Sequence, residues 1–405
     1  MVNCVITSAA RTAVGAYLGS LKTVEAQELG AAALKEAAFR SSISLDQIDE
    51  VIMGDVYGYT PNVSRCAALI AGIPEETPAY TVDRQCASSL QAVVNAVYEI
   101  SAGEAEIVLA GGVEVMSRLT YYLDPSTRYR PFRMGDKPLY DTFTHGVTIV
   151  QPPSLYPGLN MGLTAENVAE RYGITREEQD RFALDSTEKM KAAQEQGKFE
   201  DEILPFEVKD RKSSFIFDKD EHRKPDTTLE SLAALKPAFR RDGGGTVTAG
   251  NASGMNDGAS AVVVMSEEKA RELGCRPMAG IVAMAAAGVD PRVMGLGPVP
   301  AIRRALEKAG LSLWDIDLFE INEAFAAQSL GCLKELGMDM GTELYKRVNV
   351  NGGAIAHGHA LANSGTRLVT TLLYEMKRRK ARYGLVSLCI GGGQGLAVIL
   401  ENQEG

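Results

Sequence analysis

"SLDQIDEVIMGD" at residues 44–55 and "SLWDIDLFEINE" at 312–323 share Ser, Leu, Ile and Asp in register, at an offset of 268 residues (312 − 44). A second pair follows in the same order. "LQAVVNAVYEI … AEIVLAGG", from residue 90, is echoed by "RLVTTLLYEM … YGLVSLCIGGG", from residue 367, at an offset of about 275–280. Loop insertions produce a drift of a few residues of this kind. Chance likeness between two amphipathic units is the alternative, but four elements matched in order favour a true duplication.

The units around these matches alternate in type. "CVITSA" (4–9), "EVIMGDV" (50–56), "EIVLAGG" (106–112) and "GLVSLCIGG" (384–392) read as strands. "AQELGAAALKEAAFRS" (26–41), "LQAVVNAVYEI" (90–100) and "TRLVTTLLYEMKRR" (366–379) read as helices. Such alternation predicts an α/β fold with a largely parallel sheet. The segment 118–270 differs, with loop-like tracts such as "YYLDPSTRYRPFRMGDKPLYD" and charged helices such as "TREEQDRFALDSTEKMKAAQEQGKFEDE". The expected division is an N-terminal half at 1–117, an inserted lobe at 118–270 and a C-terminal half at 271–405. The last strand of the first half is expected to return near 246–266.

At 405 residues, with 45% hydrophobic and 23% charged residues, the chain suits two or three soluble domains. No apolar run reaches the ~18–20 residues of a membrane span. The start, "MVNCVITSAARTAVGAYLGS", carries neither a signal-peptide nor a transit pattern, so a cytoplasmic protein is expected. A net charge of −10 argues against a nucleic-acid partner. An anionic ligand would need a local basic patch. Residues 209–241 offer Lys209, Arg211, Lys212, Lys219, Arg223, Lys224, Lys236, Arg240 and Arg241, with acidic residues interleaved. A solvated loop of mixed charge is the alternative. The 6 cysteines are scattered without CxxC spacing, which predicts free thiols and no zinc site.

Four places can carry chemistry. Cys86 precedes an apolar helix, whose N-terminal dipole end favours thiolate; a small buried cysteine at a strand–helix junction is the plain alternative. Cys389 closes an apolar strand before Gly391, Gly392, Gly393 and Gly395. No GxxxxGK[ST] is present and another strand follows, so the glycines suit amides aimed at an oxyanion better than a phosphate loop. Asn322 ends the strand of "EINEAFAAQ", where it can orient water or a carbonyl, or cap a helix. His357 and His359 stand in "NGGAIAHGHALANSG" (351–365), two of the 4 histidines. No carboxylate occurs in that stretch to complete a metal site. A base for a thiol is the more coherent use of His359.

The motifs together resemble the thiolase family: "SAARTAVGAYLGSL", "RQCASSLQAV", "LAGGVEVMS", "NMGLTAENVAERYGITREEQD", "TVTAGNASGMNDGASA", "GVDPRVMGLGPVPA", "EINEAFAAQ", "NVNGGAIAHGHA" and "LCIGGGQG" stand in the family's order nearly end to end. The resemblance implies a duplicated fold of two βαβαβαββ halves in five layers, α-β-α-β-α, with an inserted loop domain. It implies acyl exchange between coenzyme A thioesters, with acetyl-CoA, acetoacetyl-CoA and CoA as partners and no cofactor or metal. Cys86 falls on the family nucleophile and His359 on the histidine that deprotonates it. Cys389 falls on the acid/base at C2, and Asn322 on the holder of an oxyanion-hole water. The amides of Cys86 and Gly391 fall on the other hole. Met161, Phe239, Ala249, Ser253 and Met294 match positions lining the pantetheine and acyl pocket, and Lys224 of the basic cluster suits the ADP phosphates. The family's dimers pair into tetramers through the region matched by about 118–145, so a homotetramer is expected.

Three residues depart from the family pattern. Ala360 stands where Pro is usual, which implies a less fixed His359. His357 replaces a common Leu and would add a titratable group beside the site. Asn160 replaces His in "LNMG". Two other readings remain at this point: a thiolase of broader chain length, and an inactive CoA-binding scaffold.

Overall fold

Ser44 and Ser312 open the same local motif. Each caps a short 3-10 turn through a capping box, with Gln47 and Asp315 as the reciprocal partners. The shared Ile48 and Ile316 are buried beneath. The shared Asp49 and Asp317 each accept two amides at the start of a neighbouring strand: Glu106 and Ile107 in one case, Arg382 and Tyr383 in the other. Three of the four repeated residues thus do the same work twice.

The computed structural model describes residues 2–130, 132–209, 213–221, 226–240 and 243–403. Its first half runs β1 (Cys4–Thr12), α1 (Ala26–Arg40), β2 (Glu50–Gly54), α2 (Val63–Ala71), β3 (Ala79–Val82), α3 (Ser88–Ala102) and β4 (Ile107–Val115). The chain then makes a hairpin, β5 (Tyr121–Leu123) and β6 (Leu139–Asp141), and the helices α4 (Thr142–Ile149), α5 (Met161–Tyr172) and α6 (Arg176–Glu195), followed by a second short hairpin (Phe206–Lys209 with Ser214–Phe217) and a five-residue helix at Leu229–Ala233. It returns as β7 (Asn256–Ser266). The second half follows as β8 (Ala279–Gly288), α7 (Pro298–Ala309), β9 (Leu318–Ile321), α8 (Ala326–Leu336), α9 (Ala354–His357), α10 (Ser364–Arg379), β10 (Tyr383–Ile390) and β11 (Gln394–Asn402).

The main strands form one continuous sheet in the order β9-β10-β11-β8-β1-β7-β4-β2-β3. The halves meet where Val5 and Ile6 of β1 pair with Gly280 and Ala279 of β8. The sheet is mixed, not largely parallel. β3, β2 and β4 are parallel, as are β9 and β10, because helices join them. β7, β1, β8 and β11 run antiparallel to their neighbours, and the β10–β11 hairpin can run no other way.

Period-two alternation sorts the core into layers. In β7, Val262 and Val264 face a middle layer and Val263 and Met265 an outer one. In β11, Val398 and Leu400 face the middle and Ala397 and Ile399 the other outer layer. The middle layer holds α3 and α10; α1 lies outside the first half, and α7 and α8 outside the second. The result is five layers, helix–sheet–helix–sheet–helix. From the inserted segment, Val168 of α5 and Phe182 of α6 join the second outer core. No described helix is long and apolar enough to cross a membrane.

Candidate active site

Cys86 sits on a tight turn just ahead of α3. Gln85 before it holds φ +48, a left-handed conformation that non-glycine residues seldom adopt. The turn is over-determined: Gln85 N–H donates to Asp83 Oδ1 at 2.7 Å, and Ser88 Oγ donates to Gln85 O at 2.6 Å. Gly54 makes room, since a Cβ there would stand 2.6 Å from Ser88 Cβ.

The Gly391 amide lies close enough to the Cys86 thiol to favour its thiolate form. Gly391 opens the β10–β11 turn, where Gly392 and Gly393 hold φ +83 and +87. Cys389, two residues earlier, is fully buried against Met294 and Ala324, and it lies close enough to Cys86 for the two thiols to interact electrostatically.

His359 is held at three atoms. Its N–H donates to Asn256 Oδ1 at 3.0 Å, Nδ1 lies 2.6 Å from Ser364 Oγ, and Nε2 faces Asn322 Nδ2 at 3.5 Å. No hydrogen bond joins its ring to the Cys86 thiol in this arrangement. Asn322 follows the end of β9 and is fully buried; its Oδ1 has no hydrogen-bond partner among the described residues. The cap position of α8 is Phe325, so Asn322 is not a helix cap. Glu323 turns the other way. It accepts from Ser186 Oγ, Asn349 Nδ2 and Ile355 N–H and lies under Gly353, clamping the segment that leads to His359.

Burial sets the protonation states. It pushes the Cys86 thiol up to about 11, against the opposing pull of the Gly391 amide. It drives Cys389 well above its usual value, helped by the neighbouring Cys86. It pushes His359 down to about 3, with a further contribution from Arg367. A helix N-terminus is worth about 0.3–1 kcal/mol to a nearby anion, whereas an unpaired buried charge costs several times more. The helix-end preference for thiolate is therefore outweighed, and at neutral pH the group rests as neutral thiols and a neutral imidazole.

His357 is not beside this site. It ends α9 fully buried, with Nε2 at 3.0 Å from Asn351 O and Nδ1 at 3.4 Å from Asp220 Oδ2. Its ring packs edge-on to Phe199. Asp220 also takes two hydrogen bonds from Arg11. Burial alone would raise the Asp220 carboxyl, but Arg11 and then His357 hold it well below the usual carboxylate range. The two histidines point to different partners, and no described cluster of three or more His, Cys, Asp or Glu residues could hold a metal ion.

The pocket residues are brought together in part. Met161, Met294 and Phe325 pack with Ala324 and Cys389. Phe239 lies edge-on to Phe325 at 6.2 Å between ring centroids, directly over Gly162. Ser253 N–H donates to Ala324 O at 2.9 Å. Ala249 is exposed on a turn held by Thr248 and Asn251. Lys224 falls outside the described residues, with Arg211, Lys212, Arg223 and Arg241 of the basic cluster. Arg240 is engaged by Glu170 and Asn167 of α5. Asn160 accepts from Leu163 N–H as the N-cap of α5, which gives the departure from His a local role. Asn256 and Ser364 are the orienting residues that motif reading passed over. Each lies in a quoted motif, but only their contacts reveal the task.

The family model for the thiolase N-terminal domain matches residues 4–268, and that for the thiolase C-terminal domain matches 275–402. The chain belongs to the thiolase family. An acetyl-CoA acetyltransferase of Cupriavidus necator is 52% identical over 407 residues, covering 100% of both chains. Among solved structures, the Bacillus anthracis acetyl-CoA acetyltransferase superposes with a TM-score of 0.93 at 46% identity, covering 99% of each chain. Human mitochondrial 3-ketoacyl-CoA thiolase in complex with CoA gives 0.92 at 44% identity, covering 99% of this chain and 98% of that one.

Proposed function

We propose that the protein is an acetyl-CoA C-acetyltransferase, joining two acetyl-CoA reversibly into acetoacetyl-CoA and CoA. The observation that carries the reading is the Gly391 amide set beside Cys86, where it favours the thiolate, with Cys389 alongside. A nucleophile, an oxyanion donor and a second acid/base are thereby gathered at one point.

The steps follow from the resting neutral state. Cys86 Sγ attacks the thioester carbonyl carbon as His359 Nε2 takes the thiol proton, and the amides of Cys86 and Gly391 receive the developing oxyanion. The bond to CoA sulfur breaks and Cys389 protonates the leaving thiolate, leaving acetyl-Cys86 and a Cys389 thiolate. That thiolate removes a proton from C2 of a second acetyl-CoA, whose thioester oxygen is stabilised by His359 and a water on Asn322. The carbanion attacks acetyl-Cys86, the new carbon–carbon bond forms, and Cys86 leaves and recovers its proton from His359. No cofactor beyond the thioesters is needed.

Met161, Met294, Phe239 and Ser253 line the pantetheine and acyl channel in this reading, with Ala249 at its rim and Lys224 near the ADP phosphates. A homotetramer is part of the proposal, supported by exposed Tyr121, Leu123 and Leu139 on the β5–β6 hairpin. So is residence in the cytoplasm, supported by 6 free cysteines. Light scattering and cell fractionation read these two points.

The deciding assay is cleavage of acetoacetyl-CoA by CoA beside a longer 3-ketoacyl-CoA. Fast turnover of the four-carbon substrate alone supports the acetyltransferase. Equal turnover of both assigns a 3-ketoacyl-CoA thiolase of broader chain length. No turnover of either sinks the enzyme reading and leaves a CoA-binding scaffold.

A further inference from the structure

Glu114 is where the first half grips the loop that carries His359. It lies near the end of β4 and is fully buried. The two oxygens of its carboxyl group accept three backbone amides. Val56 and Tyr57, just after β2, donate at 3.3 and 3.1 Å. Ala362, three residues beyond His359, donates at 3.1 Å. Two of these donors belong to the half that holds Cys86, and the third to the half that holds His359. Tyr57 itself lies close enough to Cys86 to interact with it electrostatically.

The loop around Ala362 is pressed onto nearly bare backbone. A Cβ on Gly112 would stand 2.3 Å from Ala362 O, and one on Gly258, paired with Glu114 across the sheet, 2.7 Å from Asn363 Nδ2. Ser260 Oγ donates to Asn363 Oδ1 at 2.5 Å. Ser364, next in line, touches the His359 ring at Nδ1.

Glu114 makes no ion pair among the described residues, and burial and then the neighbouring Asp55 push its pKa up to about 8. A packing position in β4 would be filled more cheaply by an apolar side chain. A carboxyl group is suited to one task here: two oxygens receiving three amides from two separate segments.

We propose that Glu114 is a positioning residue for acyl transfer, setting His359 through the 362–364 turn and registering that turn against the Cys86 half. The inference rests on the reading of Cys86 and His359 given above. Glu114→Gln tests it by replacing one acceptor oxygen with an NH2 that faces an amide donor. Glu114→Asp keeps the acid but withdraws it by one methylene.

Thiolysis of acetoacetyl-CoA by the full chain is measured for each variant, with thermal melts and far-UV CD as controls. Both variants are expected to lower kcat by ~10–100-fold while KM for either thioester stays within ~3-fold. A folded variant with wild-type kcat, or a loss carried by KM alone, overturns the proposal. Failure of both variants to fold also overturns it, assigning Glu114 to stability alone. An inactive wild type would instead overturn the acyltransferase reading first, which keeps the two failures distinct.

Discussion

Ser364 Oγ lies 2.6 Å from His359 Nδ1 and donates its own proton to Ala360 O at 3.1 Å. A hydroxyl has one proton to give. Nδ1 therefore carries the ring hydrogen, and Nε2, facing Asn322, is left as the free base. The tautomer needed to deprotonate a thiol is set by a residue five positions along the same loop.

Ser364→Ala removes that anchor. It should lower kcat/KM for acetoacetyl-CoA by ~10–100-fold, since orienting partners of a histidine typically matter at that level. The fold should hold, because Asn256 still fixes the His359 backbone. Activity within ~2-fold of wild type would show that the ring is oriented by something else.

The raised pKa of Cys86 and the depressed pKa of His359 give a pH signature. Alkylation of the free enzyme by iodoacetamide should be slow at neutral pH and climb steadily to about pH 10, following the thiolate fraction of a group near 11. Cys86→Ala should abolish both the labelling at this position and acyl transfer. A rate that levels off by about pH 7 would mean that the resting group is an ion pair.

Ala360 holds φ −75, inside the range that proline imposes. His359 before it bridges to Met255, the extended geometry that a following proline favours. Ala360→Pro should therefore keep kcat within ~2-fold. The loose His359 expected from the missing proline is not observed, because Asn256, Ser364 and Asn322 supply the restraint. A large gain in kcat on adding the proline would contradict this account.

Glu320 is buried in β9, and burial pushes it up to about 8 despite the opposing pull of Arg367. With a folded pKa above the unfolded value, its contribution to stability is fully present below about pH 4.5 and is lost as pH rises through about 8. Glu320→Gln should remove that loss. Melting temperatures at about pH 5 and pH 8.5 should differ less in the variant than in the wild type, by about 1–3 °C. An identical pH dependence in the two proteins would rule out Glu320 as the source.

Much of the site is legible in the sequence, because its parts are local. The turn before α3 that presents Cys86, the glycine turn after Cys389 and the strand end at Asn322 all follow from short-range patterns. What was not legible depends on approach from a distance. The Gly, Ala, Asn and Ser content around His359 looks featureless until Gly112 and Gly258 are seen against Ala362 and Asn363. His357 looks like a neighbour of the site until Asp220, 137 positions away, and Phe199 are found packed on it.

The sequence by itself determined the duplication, the alternation of strands and helices, and the residue types available for acyl transfer. Periodicity and turn chemistry act over a few residues, so a chain can be read for them without knowing what it folds against. Only the tertiary structure decided the mixed sheet, the divergence of His357 and His359, and the neutral state of the thiols and imidazole. Those depend on which surfaces come together and how much water they exclude. Solvation and long-range pairing are properties of the packed molecule, not of any stretch of it.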